Sequence, residues 1–308
     1  MTGIIILNYN TYDATEECIS SIWKHVKAKY KIYLVDNNSK EECVKKLEEK
    51  YGSDQRIHLI LLKKNLGYSG GNNEGIKLAI SDGAKNILVI NSDVVLLNDI
   101  VTLLGEKIDG NIALSGPKIY LPSGENGQYL RKNYSFLYAL TDKKPFYYLR
   151  KIFCGLDVCY KYKNWGVGLS FRGMLSGCCF LVDAKKFEKI GYFDDNVFLY
   201  GEEYIIGKKL EALNYESYYE PKAKIVHKHG VSTAHTSKGF VTYHTYVSLY
   251  YVLKKYCKTN IISSLIIKHI SIINYMIKAI RDNSYRKYLK KLYLKLEEID
   301  SGKYKIDY

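Results

Sequence analysis

Four short polar segments carry the residues best suited to chemistry: Asn8-Tyr9-Asn10, Asp36-Asn37-Asn38-Ser39, the Asn- and Gly-rich stretch from Asn65 to Asn73, and Asn91-Ser92-Asp93. Asp36 offers a carboxylate that can accept from a nucleobase N–H or a ribose hydroxyl; taken alone, it reads as an N-cap ahead of Glu41. The stretch holding Asn65, Gly67, Tyr68, Gly71, Asn72 and Asn73 enters a helix, so its backbone N–H groups and positive dipole end face an anion. It lacks the Gly-Lys-Ser/Thr close of a P-loop, and no G-x-G-x-x-G follows the first strand, which disfavours a dinucleotide enzyme. Asp93 puts an acidic oxygen beside that anion, where a hard divalent cation would bridge carboxylate and phosphate. His227 and His229 follow a later strand, and an imidazole there could complete the coordination; singly, each reads as an ordinary surface or packed histidine. Glu202 and Glu203 open a helix, where carboxylates favour the dipole in any case. Their chemical reading is a general base that takes the proton of an attacking hydroxyl.

The elements that must position these groups follow from periodicity. Apolar runs predict strands over 3–7, 31–35, 57–61 and 86–90, and helical spacing predicts helices over 15–26, 41–50 and 70–82. Such a βαβ series implies an α/β fold with a mostly parallel sheet, whose carboxyl edge would gather all four polar segments where α/β folds place ligands. A helix over 98–107 and a strand over 112–115 come next. Residues 117–173, rich in turn formers and aromatics and including Trp165, show no sustained period and read as a loop-rich excursion over the active face. Order returns with a strand over 178–182, helices over 184–190 and 202–213, and one or two strands over 217–227. From residue 240 onward only helices are expected, so the chain divides into a catalytic domain over 1–235 and a helical region over 236–308. No internal repeat is present.

Composition bounds the class. At 308 residues and 47% apolar content the chain can fill a real core. Seven cysteines without a CxxC pair suit buried, reduced thiols. With no basic leader or long apolar stretch ahead of the first strand, a cytosolic location is expected. The formal charge is +14, and from Lys254 to Tyr308 there are 13 Lys and Arg against five Asp and Glu. Such a tail seeks a polyanion. Within it, Ile262, Leu265, Ile266, Ile270, Ile273, Met276, Ile277 and Ile280 share one helical face, opposite Ser264, Lys268, Ser271 and Lys278: an amphipathic helix rather than a membrane span. A second segment groups Tyr285, Tyr288, Leu289, Leu292 and Leu296 among basic residues, the pattern of a helix lying in a membrane interface, with packing on the catalytic domain as the alternative. The 31 tyrosines suit sugar sites and membrane interfaces, although compositional bias accounts for many of them.

In combination these segments resemble glycosyltransferase family 2, inverting enzymes with the GT-A fold, and especially its rhamnosyltransferase-like bacterial branch. The likeness runs from Ile4 to about Ser232. It implies that Asn8, Tyr9, Asn10, Asp36, Asn38 and the residues from Asn65 to Asn73 bind a nucleotide-sugar donor. Asn91-Ser92-Asp93 stands for the D-x-D motif, so Asp93, with His227 of the later His motif, would hold Mg²⁺ or Mn²⁺. Ser176-Gly177 and Gly191-Tyr192-Phe193-Asp194 resemble the acceptor-side core, and Glu202-Glu203 stands where the family has Glu-Asp, making Glu203 the base. Three departures are visible: Asn91 replaces the first Asp of D-x-D, Glu203 replaces Asp, and Ile205 and Lys209 replace the following acidic and arginine positions. The implied activity is sugar transfer to a lipid-linked or oligosaccharide acceptor in capsule or cell-wall polysaccharide synthesis. It would take place at an anionic membrane surface on the cytoplasmic side, and a homodimer is compatible with it. TDP-rhamnose or a UDP-sugar is the expected donor. Two other classes fit less well: a sugar nucleotidyltransferase would need a Gly-rich triphosphate loop near the first strand, and a specific nucleic-acid binder would need a recognition motif that is missing here.

Overall fold

The computed structural model describes residues 1–128, 130, 134–141, 164–228 and 236–306. Residues 129, 131–133 and 142–163 of the expected excursion over 117–173, and His229 with Gly230-Val231-Ser232, lie outside the described residues.

The first half alternates as its periodicity predicts. Strands β1 (Thr2–Asn8), β2 (Tyr30–Asp36), β3 (Ile57–Leu61) and β4 (Asn86–Asn91) are separated by α1 (Tyr12–His25), α2 (Glu41–Tyr51) and α3 (Gly67–Ser81). Then come β5 (Val94–Leu96), α4 (Ile100–Gly105), β6 (Ile112–Tyr120), α5 (Phe136–Thr141), β7 (Leu169–Phe171) and β8 (Cys179–Asp183). The chain continues through α6 (Ala184–Lys189), α7 (Glu202–Ala212), β9 (Glu216–His227), α8 (Lys238–Tyr256), α9 (Ile261–Arg281) and α10 (Asn283–Asp300). Caps fix several helix starts: the side chains of Asp99, Asp183, Ser237, Asn260 and Asp282 each accept from a first-turn backbone N–H.

The strands form one sheet in the order β3-β2-β1-β4-β8-β6-β9-β5, with β7 also paired to β9. β8 is antiparallel to both β4 and β6, and β5 and β7 are antiparallel to β9, so the sheet is mixed although most strands run one way. Successive side chains of a strand point to opposite faces. Ile4 and Ile6 therefore pack with Ile19 and Ile22 of α1, while Ile5 packs with Ile76 and Ala79 of α3. Sandwiched strands must be apolar on both faces, and Ile4-Ile5-Ile6 is fully buried.

Register positions the polar segments. Asn8 lies opposite Asp36, and Leu7 opposite Asn91, so three of the four segments end abreast at one sheet edge. The sequence shows no sign of β5, three residues whose pairing places Val94 opposite His227. That short pairing carries Asp93 to the histidine.

The three C-terminal helices pack on α5 and α7 through a tyrosine-rich cluster that includes Tyr204, Tyr243, Tyr250 and Tyr275. Here one expectation is corrected. In α10 the face expected to enter a membrane is turned inward: Leu292 and Leu296 are fully buried against α8, each contributing roughly 1.5–3 kcal/mol. In α9 the arrangement is reversed. Its Ser264, Lys268 and Ser271 are buried and its isoleucine face is exposed.

Candidate functional site

Hydrogen bonds join all four polar segments into one edge. Asn8 is the hub: its Nδ2 donates to Asp36 Oδ1 at 2.7 Å and to Ser39 Oγ at 3.1 Å, and its Oδ1 accepts from Thr11 and Thr15. Asp36 Oδ2 accepts from Ser39 N at 2.9 Å, closing the turn. Thr11 Oγ1 lies 3.0 Å from Ser92 Oγ, which ties the first segment to the fourth. Asn37 ties the second to the third, donating to Asn65 Oδ1 and Gly67 O and accepting from Leu66 N. Asn10 and Asn38 both sit at positive φ, a conformation asparagine tolerates. The Asn10 side chain then accepts from Lys40 N. Tyr9 is left exposed beside this framework, an open ring face at the edge.

The first N–H groups of the stretch from Asn65 to Asn73 do not face an anion, as its sequence suggests they would. The N–H groups of Leu66, Gly67 and Tyr68 are already taken by Asn37 Oδ1, Asn65 Oδ1 and Phe198 O. The cause is close packing. Gly67 has φ +68°, and a Cβ there would come within 2.4 Å of Phe198 O. Gly71, Asn72 and Asn73 are buried, with Asn73 bonded to Phe193 O and Asp195. The stretch thus builds the floor of the site, and Tyr68 is the side chain it aims.

Asp93 and His227 meet as the sequence suggests. Asp93 Oδ1 is 3.2 Å from His227 Nε2, and both side chains are buried. Burial would lower the imidazole pKa, but hydrogen bonds with Asp93 and Cys178 outweigh it and push it up to about 10. Among the described residues no group of three or more His, Cys, Asp or Glu side chains could hold a metal ion alone. The Asp93 oxygen and the His227 nitrogen side by side fit a hard or borderline divalent cation once that cation displaces the imidazole proton, and its remaining ligands would come from a substrate diphosphate.

The carboxylate pair opens α7 after Gly201, which has φ +92°. Its members differ. Glu202 is buried, its Oε2 has no hydrogen-bond partner, and burial followed by the Glu203 charge raises its pKa well above the carboxylate range. Such a group stays protonated and makes a poor base. Glu203 is less buried, and its Oε1 accepts from Gly177 N at 3.2 Å. Tyr68 OH donates to Gly177 O at 2.7 Å. A Cβ at position 177 would stand 2.8 Å from Glu203 Oε1, so the glycine permits this approach.

The connector Ser176-Gly177-Cys178 therefore touches both halves of the site. Gly177 holds Glu203 and Tyr68, while Cys178 bonds to His227 and its carbonyl accepts from Asn91 N at 2.8 Å. Ser176 Oγ lies 3.4 Å from Cys178 Sγ and Ser176 N donates to Gln128. Two residues expected on the acceptor side lie elsewhere. Asp194 is buried and accepts from Tyr251, Lys255 and Tyr256 of α8; burial opposes its ionisation, but hydrogen bonds from Tyr256, Asn196 and Lys255 hold its carboxyl well below the usual range. Trp165 packs edge-on against Tyr219 of β9, at 5.4 Å between ring centroids. Sequence reasoning missed Thr11, Thr15, Asn37 and Cys178. Only Asn37, inside a recognised segment, carried a local signal; the others depend on long-range pairing.

Comparison with known proteins identifies the pattern. The glycosyl transferase family 2 model matches residues 3–191. A Haloferax volcanii protein, the low-salt glycan biosynthesis hexosyltransferase Agl10, is 27% identical over 210 residues, 65% of this chain and 58% of that protein. The N-acetylglucosaminyl-diphospho-decaprenol L-rhamnosyltransferase of Mycobacterium tuberculosis is 34% identical over 80 residues, 25% of this chain and 26% of the relative. The chain thus spans less than two thirds of the length of either relative. Among solved structures, GalNAc-T7 with UDP, GalNAc and Mn²⁺ superposes with a TM-score of 0.60 at 16% identity, covering 82% of this chain and 47% of the other. S. aureus TarS gives 0.53 at 13% identity, over 87% and 42%. The fold is GT-A.

Proposed function

The chain belongs to glycosyl transferase family 2, and on that premise we propose an inverting, metal-dependent sugar transferase that uses a nucleotide-sugar donor and a lipid-linked glycan acceptor at the cytoplasmic face of the membrane. The observation that carries the proposal is the Ser176–Cys178 connector, which holds the Asp93–His227 pair and the Glu203 carboxylate on either side of one glycine. Donor and acceptor chemistry then share one wall.

In this reading the exposed Tyr9 ring and the Asn8–Asp36 turn receive the nucleoside, and Asp93 with His227 would hold Mg²⁺ or Mn²⁺ beside the diphosphate. The cation would supply Lewis-acid neutralisation of the charge that develops on the leaving diphosphate. Glu203 removes the acceptor hydroxyl proton, the oxygen bonds to the anomeric carbon, and the carbon–diphosphate bond breaks on the opposite face. Configuration inverts. Glu202, protonated beside it, keeps a second negative charge away from the incoming hydroxyl.

TDP-rhamnose is the first donor to try and UDP-sugars the second, because one relative is named as an L-rhamnosyltransferase. The same name, with its decaprenol diphosphate, supports a lipid-linked acceptor of the kind used in capsule or cell-wall polysaccharide assembly. The test is thermal-shift screening of nucleotide sugars with Mn²⁺, followed by donor hydrolysis by the best hit. Stabilisation and turnover by no nucleotide sugar would defeat the proposal.

A further inference from the structure

Helix α9 is amphipathic, yet it is packed the wrong way round for a helix in water. Its polar side faces the protein: Ser264, Lys268 and Ser271 are buried, and Lys268 Nζ is 2.7 Å from both Asp300 Oδ2 and Glu297 Oε1. Its apolar side, with Ile262, Ile266, Ile273, Met276, Ile277 and Ile280, points outward, and Ile262 and Ile280 are 72% and 74% exposed. His269 is the one polar side chain that interrupts this face, bonded through Nδ1 to Leu265 O. A groove of about 600 Å³ between α9 and α10 begins at its Ile261 end, lined by Leu265, Ile272 and Tyr293. A contiguous exposed apolar face of this length marks an interaction surface.

Charge selects the occupant. No acidic residue occurs between Lys258 and Arg281. Among the described residues the carboxylates that follow are engaged: Asp282 caps α10, Glu297 and Asp300 bind Lys268, and Glu298 binds Lys295. Lys258 precedes α9 and Arg281 ends it, both exposed; Arg286 reaches the carbonyls of Ala279 and Ile280, and Lys287 and Lys290 are exposed on α10. An identical copy docked on this face would bring like charges together, whereas anionic lipid headgroups complement them. By length and composition α9 could cross a membrane. Crossing would pull Lys268 away from Asp300 and Glu297 of α10 and leave its charge in the bilayer, so the helix lies in the plane of the interface.

We propose that the exposed face of α9 is the membrane-docking surface, seated in the headgroup boundary of an anionic bilayer with the basic residues of α10 at its rim. The inference deepens the lipid-linked-acceptor reading. Its test uses vesicles without any acceptor, so each can fail separately.

The full chain is floated with phosphatidylcholine vesicles and with vesicles containing phosphatidylglycerol, alongside Ile273→Glu/Ile277→Glu and Lys287→Glu/Lys290→Glu. All four side chains are exposed, so folding should survive, and circular dichroism checks it. The wild type is expected to float with anionic vesicles, the isoleucine variant to bind at least about tenfold more weakly, and the lysine variant to lose much of its salt-sensitive preference for phosphatidylglycerol. Equal flotation of wild type and folded isoleucine variant would overturn the proposal. So would a wild type that ignores both vesicles and sediments as a dimer that the isoleucine variant dissolves, because the occupant would then be a second copy.

Discussion

Glu202 and Glu203 are neighbours of the same type, and environment separates them. Burial and the Glu203 charge favour the protonated form of Glu202, whose Oε2 has no partner, whereas Glu203 is ordered by Gly177 N. Glu203→Gln is therefore expected to slow turnover by about 10²- to 10⁴-fold while leaving donor affinity intact, as steady-state kinetics and donor titration would report. Near-wild-type turnover would move the base elsewhere. Gly177→Ala should act in the same direction, since its methyl would meet Glu203 Oε1; a drop in kcat with unchanged donor Kd is the expected signature. Type and spacing pointed to Asp93, His227 and both glutamates, and only the family resemblance favoured Glu203 over Glu202. Which glutamate is available depends on burial, which a pair of identical adjacent letters does not encode. Asp194 shows the opposite case: a carboxylate in a recognised motif whose Oδ2 is taken by α8 and whose Oδ1 is taken by Asn196. Asp194→Asn should leave kcat within a few fold and lower stability by about 1–3 kcal/mol in urea unfolding; a selective loss of turnover at unchanged stability would return it to the acceptor site.

At the scale of elements, the strands of the βαβ half were legible to within about a residue because buried parallel strands are continuous apolar runs, whereas α1 and α3 begin three residues earlier than their periodicity predicts. β5 and β7 were not legible, since each is three residues long and defined only by its pairing with β9. The C-terminal helices show a different limit: periodicity tells which residues share a face, not what that face meets. α9 and α10 both carry an apolar stripe. The buried Lys268, ion-paired with Asp300 and Glu297, orients α9 stripe-outward, and Leu292 and Leu296 seat α10 stripe-inward. Where α8 meets the catalytic body, His244 stacks on Phe198 at 4.6 Å, and burial, with the Lys291 charge, lowers its pKa from 6.5 to about 4. A depressed histidine pKa means that its stabilising contribution is complete above pH 6.5 and declines as pH falls through about 4. The wild type is thus expected to lose stability across that window, by at most about 3 kcal/mol, and His244→Gln to lose less. Parallel pH-melt curves for the two proteins would contradict this.

For the whole molecule, one sheet edge and one helical end divide the labour. In the proposed function the edge, where Asn8, Asp36, Asn37, Asn65 and Ser92 are hydrogen-bonded into a frame, would serve the donor. The basic end, with α9 turned outward, would serve the surface on which a lipid-linked acceptor resides. The charge asymmetry was evident from the sequence; its outward apolar face became visible only with packing. The central claim remains cation-assisted binding of a nucleoside diphosphate at Asp93 and His227 beside Glu203. Isothermal titration of TDP and UDP into the full chain tests it most directly, with Mn²⁺, with EDTA, and with Asp93→Ala in the presence of Mn²⁺. Saturable binding with Mn²⁺ that disappears in EDTA and in Asp93→Ala is the predicted result; binding of equal affinity in all three conditions, or no binding of either nucleotide in any of them, would contradict it.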